Sequence, residues 1–200
     1  MTTTESRCSR TTMVALLPKN RGLAAMADKA LEGRRSGIAV RPYHARGEDI
    51  PLLANALAHS GTPFLAFTGC DLLEESLRAG YRMDPRIRVE RIPWDDPTAC
   101  FGKPALCALA AREANLSRER LRIAYCTRYA RLSADYLQRI ARSGIDVEPI
   151  PLSGAVESTL AYGIADVVVD IVVTGATMRR LDLRVVEILF LSDLALLEFP

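Results

Sequence analysis

An α/β chain folded as two lobes is what this sequence predicts, and three observations predict it. Short apolar runs rich in Val, Ile and Leu alternate with longer stretches of helical period, the pattern of parallel strands, in mostly parallel sheets, covered by helices. That alternation stops at the polar, proline-interrupted Trp-Asp-Asp-Pro-Thr-Ala-Cys-Phe of 94–101 and then restarts, as at a hinge between two lobes. With 49% hydrophobic and 25% charged residues over 200 positions, the make-up is that of a globular chain. A chain of this length buries roughly 70% of the surface it exposes when unfolded, so its core needs neither disulfides nor a structural metal.

In chain order, β-branched and aliphatic runs predict strands at 12–17, 37–43, 64–68, 87–92, 105–110, 121–126, 146–151, 166–173 and 185–196. Helical spacing predicts helices at 23–34, 48–60, 72–79, 132–143 and 155–162; Leu132, Tyr136, Leu137 and Ile140, for example, fall on one face. A second crossing is expected near 179–184, with the last strand returning to the first lobe. The expected lobes are therefore 1–97 with 183–200, and 98–182, with a cleft between them.

Charge narrows the partners. The 26 Lys+Arg nearly cancel 24 Asp+Glu, and a net charge of +2 argues against a general nucleic-acid footprint. The five cysteines, Cys8, Cys70, Cys100, Cys107 and Cys126, are scattered and never spaced C-x-x-C. They read as reduced, cytoplasmic thiols rather than a zinc site or a disulfide framework. The N-terminus is polar and frayed in expectation, without the apolar core of a secretory signal, and the apolar stretches at 167–173 and 185–199 are interrupted by acids, so no membrane crossing is expected. With His44 and His59 as the only histidines, no Ser-His-Asp arrangement suggests itself.

Chemistry concentrates at 167–180, Val-Val-Val-Asp-Ile-Val-Val-Thr-Gly-Ala-Thr-Met-Arg-Arg. Asp170 interrupts an otherwise apolar strand, where an unpaired carboxylate costs several kcal/mol or is driven neutral. It either meets a partner or turns to water on an edge strand or bulge. Beyond the strand, Thr174, Gly175, Ala176 and Thr177 supply two hydroxyls, a glycine free to take positive φ, and backbone N–H groups able to converge on an anion. An anion cradle after a strand, with an aspartate on that strand facing ribose hydroxyls, is a phosphoribosyl site in outline. Upstream, Ser153-Gly154-Ala155-Val156-Glu157 follows a strand and opens a helix; Glu157 in the first turn is either a helix-start residue or part of the site. Asp166 reads as a turn residue. Arg128 and Tyr129, after another strand, are ligand contacts or ordinary surface groups, and Lys19 and Arg21 follow the first strand, where open α/β sheets bind ligands.

The order of these segments resembles the catalytic part of ATP phosphoribosyltransferase, the enzyme that opens histidine biosynthesis. The likeness is densest over 121–199, in L-R-I-A-Y-C-T-R-Y, S-G-I-D-V-E, L-S-G-A-V-E, G-I-A-D-V-V-V-D-I-V-V-T-G-A-T and V-V-E-I-L-F-L-S-D-L-A-L-L. L-P-K-N-R (17–21), E-D-I-P (48–51), F-T-G-C-D-L-L (67–73) and F-G-K-P-A-L-C-A-L-A (101–110) extend it through the first half.

The resemblance implies a two-lobed fold similar to type II periplasmic binding proteins, with phosphoribosyl pyrophosphate held mainly by the second lobe and ATP across the cleft. It maps the family's phosphate loop onto residues 170–178, with Thr174, Gly175, Ala176 and Thr177 around the 5′-phosphate and Asp170 at the ribose. Asp170 and Glu157 are then the catalytic candidates, and Lys19, Arg21, Arg128 and Tyr129 the ATP-side ones. Mg2+ is expected on the pyrophosphate substrate. The chain resembles the family's short form, which implies a homo-oligomer and a regulatory partner similar to histidyl-tRNA synthetase. The stretch from Arg21 to Arg41-Pro42 is shorter than the family's usual insertion. This keeps two alternatives in view: a phosphoribosyltransferase with another acceptor, and a non-catalytic ligand-binding module of the same fold.

Overall fold

The computed structural model describes residues 12–34 and 39–200, save the side chain of Arg21. Its strands form two five-stranded sheets, and its contacts group into two compact units.

The first sheet has the order β2-β1-β3-β10-β4. Strand β1 (Met13–Pro18) pairs in parallel with β2 (Val40–Ala45) on one side and β3 (Phe64–Gly69) on the other. Strand β3 is buried along its whole length, as the apolar run Phe64-Leu65-Ala66-Phe67 requires of a strand covered on both faces, and the buried Thr68 hydroxyl donates to the Gly47 carbonyl at 2.7 Å. The start of the strand expected at 37–43 lies outside the described residues up to position 38. Helix α1 (Arg21–Glu32) presents Leu23, Ala27 and Leu31, one turn apart, to the core. Helix α2 (Ile50–His59) carries Pro51 in its first turn, where the missing N–H has no intrahelical use, and buries Ile50, Ala54 and Ala58. Strand β4 (Arg88–Ile92) closes one edge. The unit comprises the described residues up to Thr68, then Met83–Glu90 and Leu196–Pro200. Phe199 stacks on Phe64 within it, with ring centroids 5.9 Å apart.

The second unit comprises Gly69–Arg82 and Arg91–Ala195. It therefore takes in α3 (Cys70–Arg78), whereas the sequence reading sets the lobe boundary at 97/98. Its sheet has the order β7-β6-β8-β5-β9. Strands β6 (Arg120–Cys126), β7 (Asp146–Leu152) and β8 (Val167–Val172) run parallel, while β5 (Ala105–Ala111) runs antiparallel to both β8 and β9 (Leu183–Leu191), so this sheet is mixed. Helix α4 (Ala130–Arg142) buries Leu132, Ser133 and Tyr136.

Two expectations need correction. The run expected as one strand at 185–196 is two: β9 in the second sheet and β10 (Leu194–Phe199) in the first. The break is Ser192-Asp193, and the chain returns to the first sheet there rather than near 179–184. Ser192 N–H donates to the Pro104 carbonyl at 2.8 Å, and the Asp193 side chain accepts from the Trp94 amide at 2.9 Å. A backbone amide and a polar side chain that find such partners end a strand that hydrophobicity alone would continue. The helix expected at 155–162 shrinks to α5 (Ser158–Ala161), between two left-handed residues, Ala155 at φ 52° and Gly163 at φ 63°, that a helix cannot include. Among the described residues no helix is long and apolar enough to cross a membrane.

Candidate functional site

Strand β8 sits in the middle of the second sheet, so Val167, Val168, Val169 and Val172 are buried as their apolar run predicts. Asp170 lies opposite Cys107 of β5 and is half-buried. Directly after the strand, Gly175 adopts φ 67° and ψ 14°, the left-handed conformation, and caps the short helix α6 (Ala176–Arg180). A side chain at 175 would also collide with Cys100 Sγ, so the position needs glycine twice over. The Cys100 amide donates to the Val173 carbonyl at 2.8 Å and fixes the root of the turn.

A pocket of about 120 Å³ opens here, lined by Leu109, Glu157, Asp170 and the continuous stretch 171–178. The sequence-predicted residues Asp170, Glu157, Thr174, Gly175, Ala176 and Thr177 thus come together in one concavity. Within it the Ala176 amide reaches toward Thr174 Oγ1 at 3.4 Å.

Asp170 is the carboxyl of this pocket whose titration departs from its ordinary value. Burial pushes its carboxyl up to about 6, the Ile171 amide that donates to Oδ1 at 2.8 Å pulls it down, the Glu157 carboxylate raises it and the Arg128 charge lowers it. Glu157 is half-buried and precedes α5 rather than lying inside it. The left-handed Ala155 two residues before it is backbone strain of about 1–3 kcal/mol beside the pocket, the kind that clusters at functional sites.

Other predicted residues fall elsewhere. Lys19 is exposed at the end of β1, in the first unit. Arg21 opens α1, and its side chain lies outside the described residues. Arg128 is half-buried, with Nε 3.2 Å from Cys126 Sγ. Tyr129, read as a ligand contact, is only 3% exposed and its hydroxyl is committed to Asp71 at 2.7 Å. Asp166 is a structural acceptor for the Arg122 amide at 2.9 Å and for the Arg122 and Arg118 guanidinium groups. His44 and His59 are both exposed.

Sequence reasoning missed Asp71, Cys100 and Leu109 as neighbours of this chemistry. Cys100 in a turn, Leu109 in a strand and Asp71 in the first turn of a helix each gave no periodic signal; Asp71 stood only inside a matching motif. Cys70, Cys100, Cys107 and Cys126 are free thiols, and Cys8 lies outside the described residues. Among the described residues no group of three or more His, Cys, Asp or Glu is placed to hold a metal ion.

Comparison with known proteins adds kinship to this geometry. The family model HisG, ATP phosphoribosyltransferase, matches residues 46–198. The ATP phosphoribosyltransferase of Thermococcus gammatolerans is 36% identical over 138 residues, covering 68% of this chain and 56% of that protein. That of Symbiobacterium thermophilum is 40% identical over 153 residues, covering 76% and 62%. The chain thus spans a little over half the length of these relatives. Among solved structures, the ATP phosphoribosyl transferase (HisG:HisZ) complex from Thermotoga maritima aligns with a TM-score of 0.66 at 21% identity, covering 94% of this chain and 88% of that one. The periplasmic aliphatic sulphonate binding protein SsuA from Escherichia coli aligns at 0.58 and 15% identity, covering 94% and 61%. At such identities the likeness is one of fold. The family-model match takes in β8, its loop and Glu157 together, and the chain belongs to the ATP phosphoribosyltransferase family.

Proposed function

We propose that the chain is a catalytic ATP phosphoribosyltransferase subunit, joining the ribosyl carbon of phosphoribosyl pyrophosphate to N1 of ATP at the first step of histidine biosynthesis. The observation that carries this reading is the single pocket formed by Asp170, Glu157 and the loop 174–177. A bond forms between N1 of ATP and the anomeric carbon while the bond from that carbon to pyrophosphate breaks, its electron pair leaving with pyrophosphate. The ribose passes through a cation-like state, so the protein needs no nucleophile of its own. It needs orientation and negative charge beside the ribose.

Asp170 supplies both. With its carboxyl titrating near 6, it is largely ionised at pH 7.5, accepts from the ribose hydroxyls and faces the developing positive charge, with Glu157 as the second carboxylate. The amides and hydroxyls of residues 174–177, shaped by left-handed Gly175, hold the 5′-phosphate. Mg2+ carried by the pyrophosphate of the substrate would supply neutralisation of the leaving group's charge. Arg128 is the cation of this unit assigned to the phosphates or base of ATP; Lys19 and Arg21, in the first unit, stay expectations of the sequence. Tyr129, buried as it is, is not given a stacking role.

We assign the chain to the short form of the family, working as a homo-oligomer with a partner similar to histidyl-tRNA synthetase. The fold likeness to a HisG:HisZ complex and the motif order support that assignment. The test is to incubate the full chain, with and without such a partner, with ATP, phosphoribosyl pyrophosphate and Mg2+. Phosphoribosyl-ATP is the expected product. Its absence under both conditions, with phosphoribosyl pyrophosphate still bound, points to another acceptor, and absence of binding as well contradicts the reading.

A further inference from the structure

The pocket assigned to a sugar phosphate carries a charge imbalance. Its lining includes two carboxylates, Asp170 and Glu157, and no cation. A phosphate monoester brings roughly two further negative charges at pH 7.5, since its second pKa is about 6. Backbone amides and hydroxyls offer partial charges only, and like charges held close repel one another unless a full positive charge joins them. The turn itself places one there. Arg179, in the last turn of α6, donates its amide to the Gly175 carbonyl at 3.0 Å, and its side chain folds back over the same residue. Its Nη1 lies 3.4 Å from the point where a β-carbon on Gly175 would stand, in the space that Cys100 Sγ also borders. The glycine thus lets a guanidinium lie against the turn.

Other arginines of this unit are held by carboxylates: Arg112 by Asp182 at 2.8 Å, Arg122 by Asp166 at 3.2 Å and Arg139 by Glu187 at 2.6 Å. Among the described residues Arg179 has no ion-pair partner, and it is exposed. Arg180 is exposed too, but it does not come within 4 Å of the same point over Gly175. Within the sugar-phosphate reading, on which this inference rests, we propose that Arg179 is the phosphate-binding cation of the pocket and the residue by which it selects a 5-phosphorylated pentose over the unphosphorylated sugar. A guanidinium meets two phosphate oxygens with two parallel N–H donors and a full charge, which a turn of amides does not supply. Asp170 and Glu157 then keep their negative charge for the ribose. One cavity of about 120 Å³ can in this way serve an anion at one end and a cation-like ribose at the other.

The test is calorimetric titration of the full chain with ribose 5-phosphate, which carries the phosphate but neither pyrophosphate nor acceptor, and separately with ribose and with inorganic phosphate. Arg179→Gln should weaken ribose 5-phosphate binding about tenfold or more, the loss expected of a charged hydrogen-bond partner, and should narrow the preference over ribose by the same factor. Arg179→Lys should recover part of that loss, because it keeps the charge without the paired donors. Arg180→Gln removes the same charge one position away and should stay within about twofold of wild type. Unfolding in urea should be alike in all of these proteins, since both arginines are exposed. Equal affinity in wild type and Arg179→Gln, or equal losses in Arg179→Gln and Arg180→Gln, overturns the proposal and leaves the sugar-phosphate reading in place. If wild type binds inorganic phosphate through Arg179 but ribose 5-phosphate no better, the cation assignment stands and the sugar reading fails. Binding of neither anion by wild type overturns both.

Discussion

Asp170 and Asp193 are two aspartates set into apolar sequence in the same unit, and their surroundings make them opposites. Asp193 caps the break between β9 and β10, with its side chain 4% exposed and three donors on its two oxygens: Arg91 Nε at 2.5 Å, the Trp94 amide at 2.9 Å and Lys103 Nζ at 2.6 Å. Burial pushes its carboxyl up, but Lys103, the Trp94 amide and Arg91 outweigh it and hold the group below its ordinary value. Asp170 has the amide of its own next residue and the opposing charges of Glu157 and Arg128, and burial wins. A carboxylate that the fold satisfies is part of the structure, while one left wanting donors is where a ligand's hydroxyls can bind.

Replacing Asp193 should break that contrast most severely. Asp193→Ala removes the acceptor on which Arg91, Lys103 and the Trp94 amide converge, and should cost about 3–5 kcal/mol in urea unfolding. Molecules that still fold should bind ligand as before. Asp170→Asn should do the reverse: turnover falls about a hundredfold, worth about 2.7 kcal/mol of transition-state binding. Stability at pH 7.5 should meanwhile rise by about 1 kcal/mol, because a buried charge is removed.

Acid should sharpen the difference. A carboxyl lowered by folding, like Asp193, contributes stability above its unfolded pKa and loses it as pH falls through its folded value. One raised by folding, like Asp170, favours the fold below the unfolded pKa, and that contribution is lost as pH rises through about 6. In the Asp170→Asn variant, therefore, the change in stability between pH 4.5 and pH 7.5 should lack a component of about 2 kcal/mol that wild type shows. At the smallest scale, Ala155→Gly relieves the left-handed strain at φ 52° and should leave net stability within about 1 kcal/mol of wild type. It should also loosen Glu157, read as weaker ligand binding.

The sequence made the Asp170 side of this comparison legible and hid the other. An aspartate inside Val-Val-Val-Asp-Ile-Val-Val, followed by Thr-Gly-Ala-Thr, stands out because apolar strands of buried sheets seldom carry a charge and because glycine marks the left-handed turn. Ser192-Asp193 lies in an equally apolar stretch, yet it ends a strand and sends the chain to another sheet. Its partners Arg91, Trp94 and Lys103 are about ninety to a hundred positions away, beyond the reach of any local pattern. Tyr129 misled for the same reason: a tyrosine after a strand reads as a ligand platform until Asp71, 58 positions earlier, is found on its hydroxyl. The strand alternation and the helix faces, being local, were readable; the direction of β5, antiparallel to its neighbours, was not.

Calorimetric titration of the full chain with phosphoribosyl pyrophosphate and Mg2+ at pH 7.5, in wild type and Asp170→Asn side by side, tests the central claim most directly. The account predicts saturable binding by wild type and its loss in a variant that is folded and no less stable. Equal binding by the two proteins, or none by wild type, would contradict it.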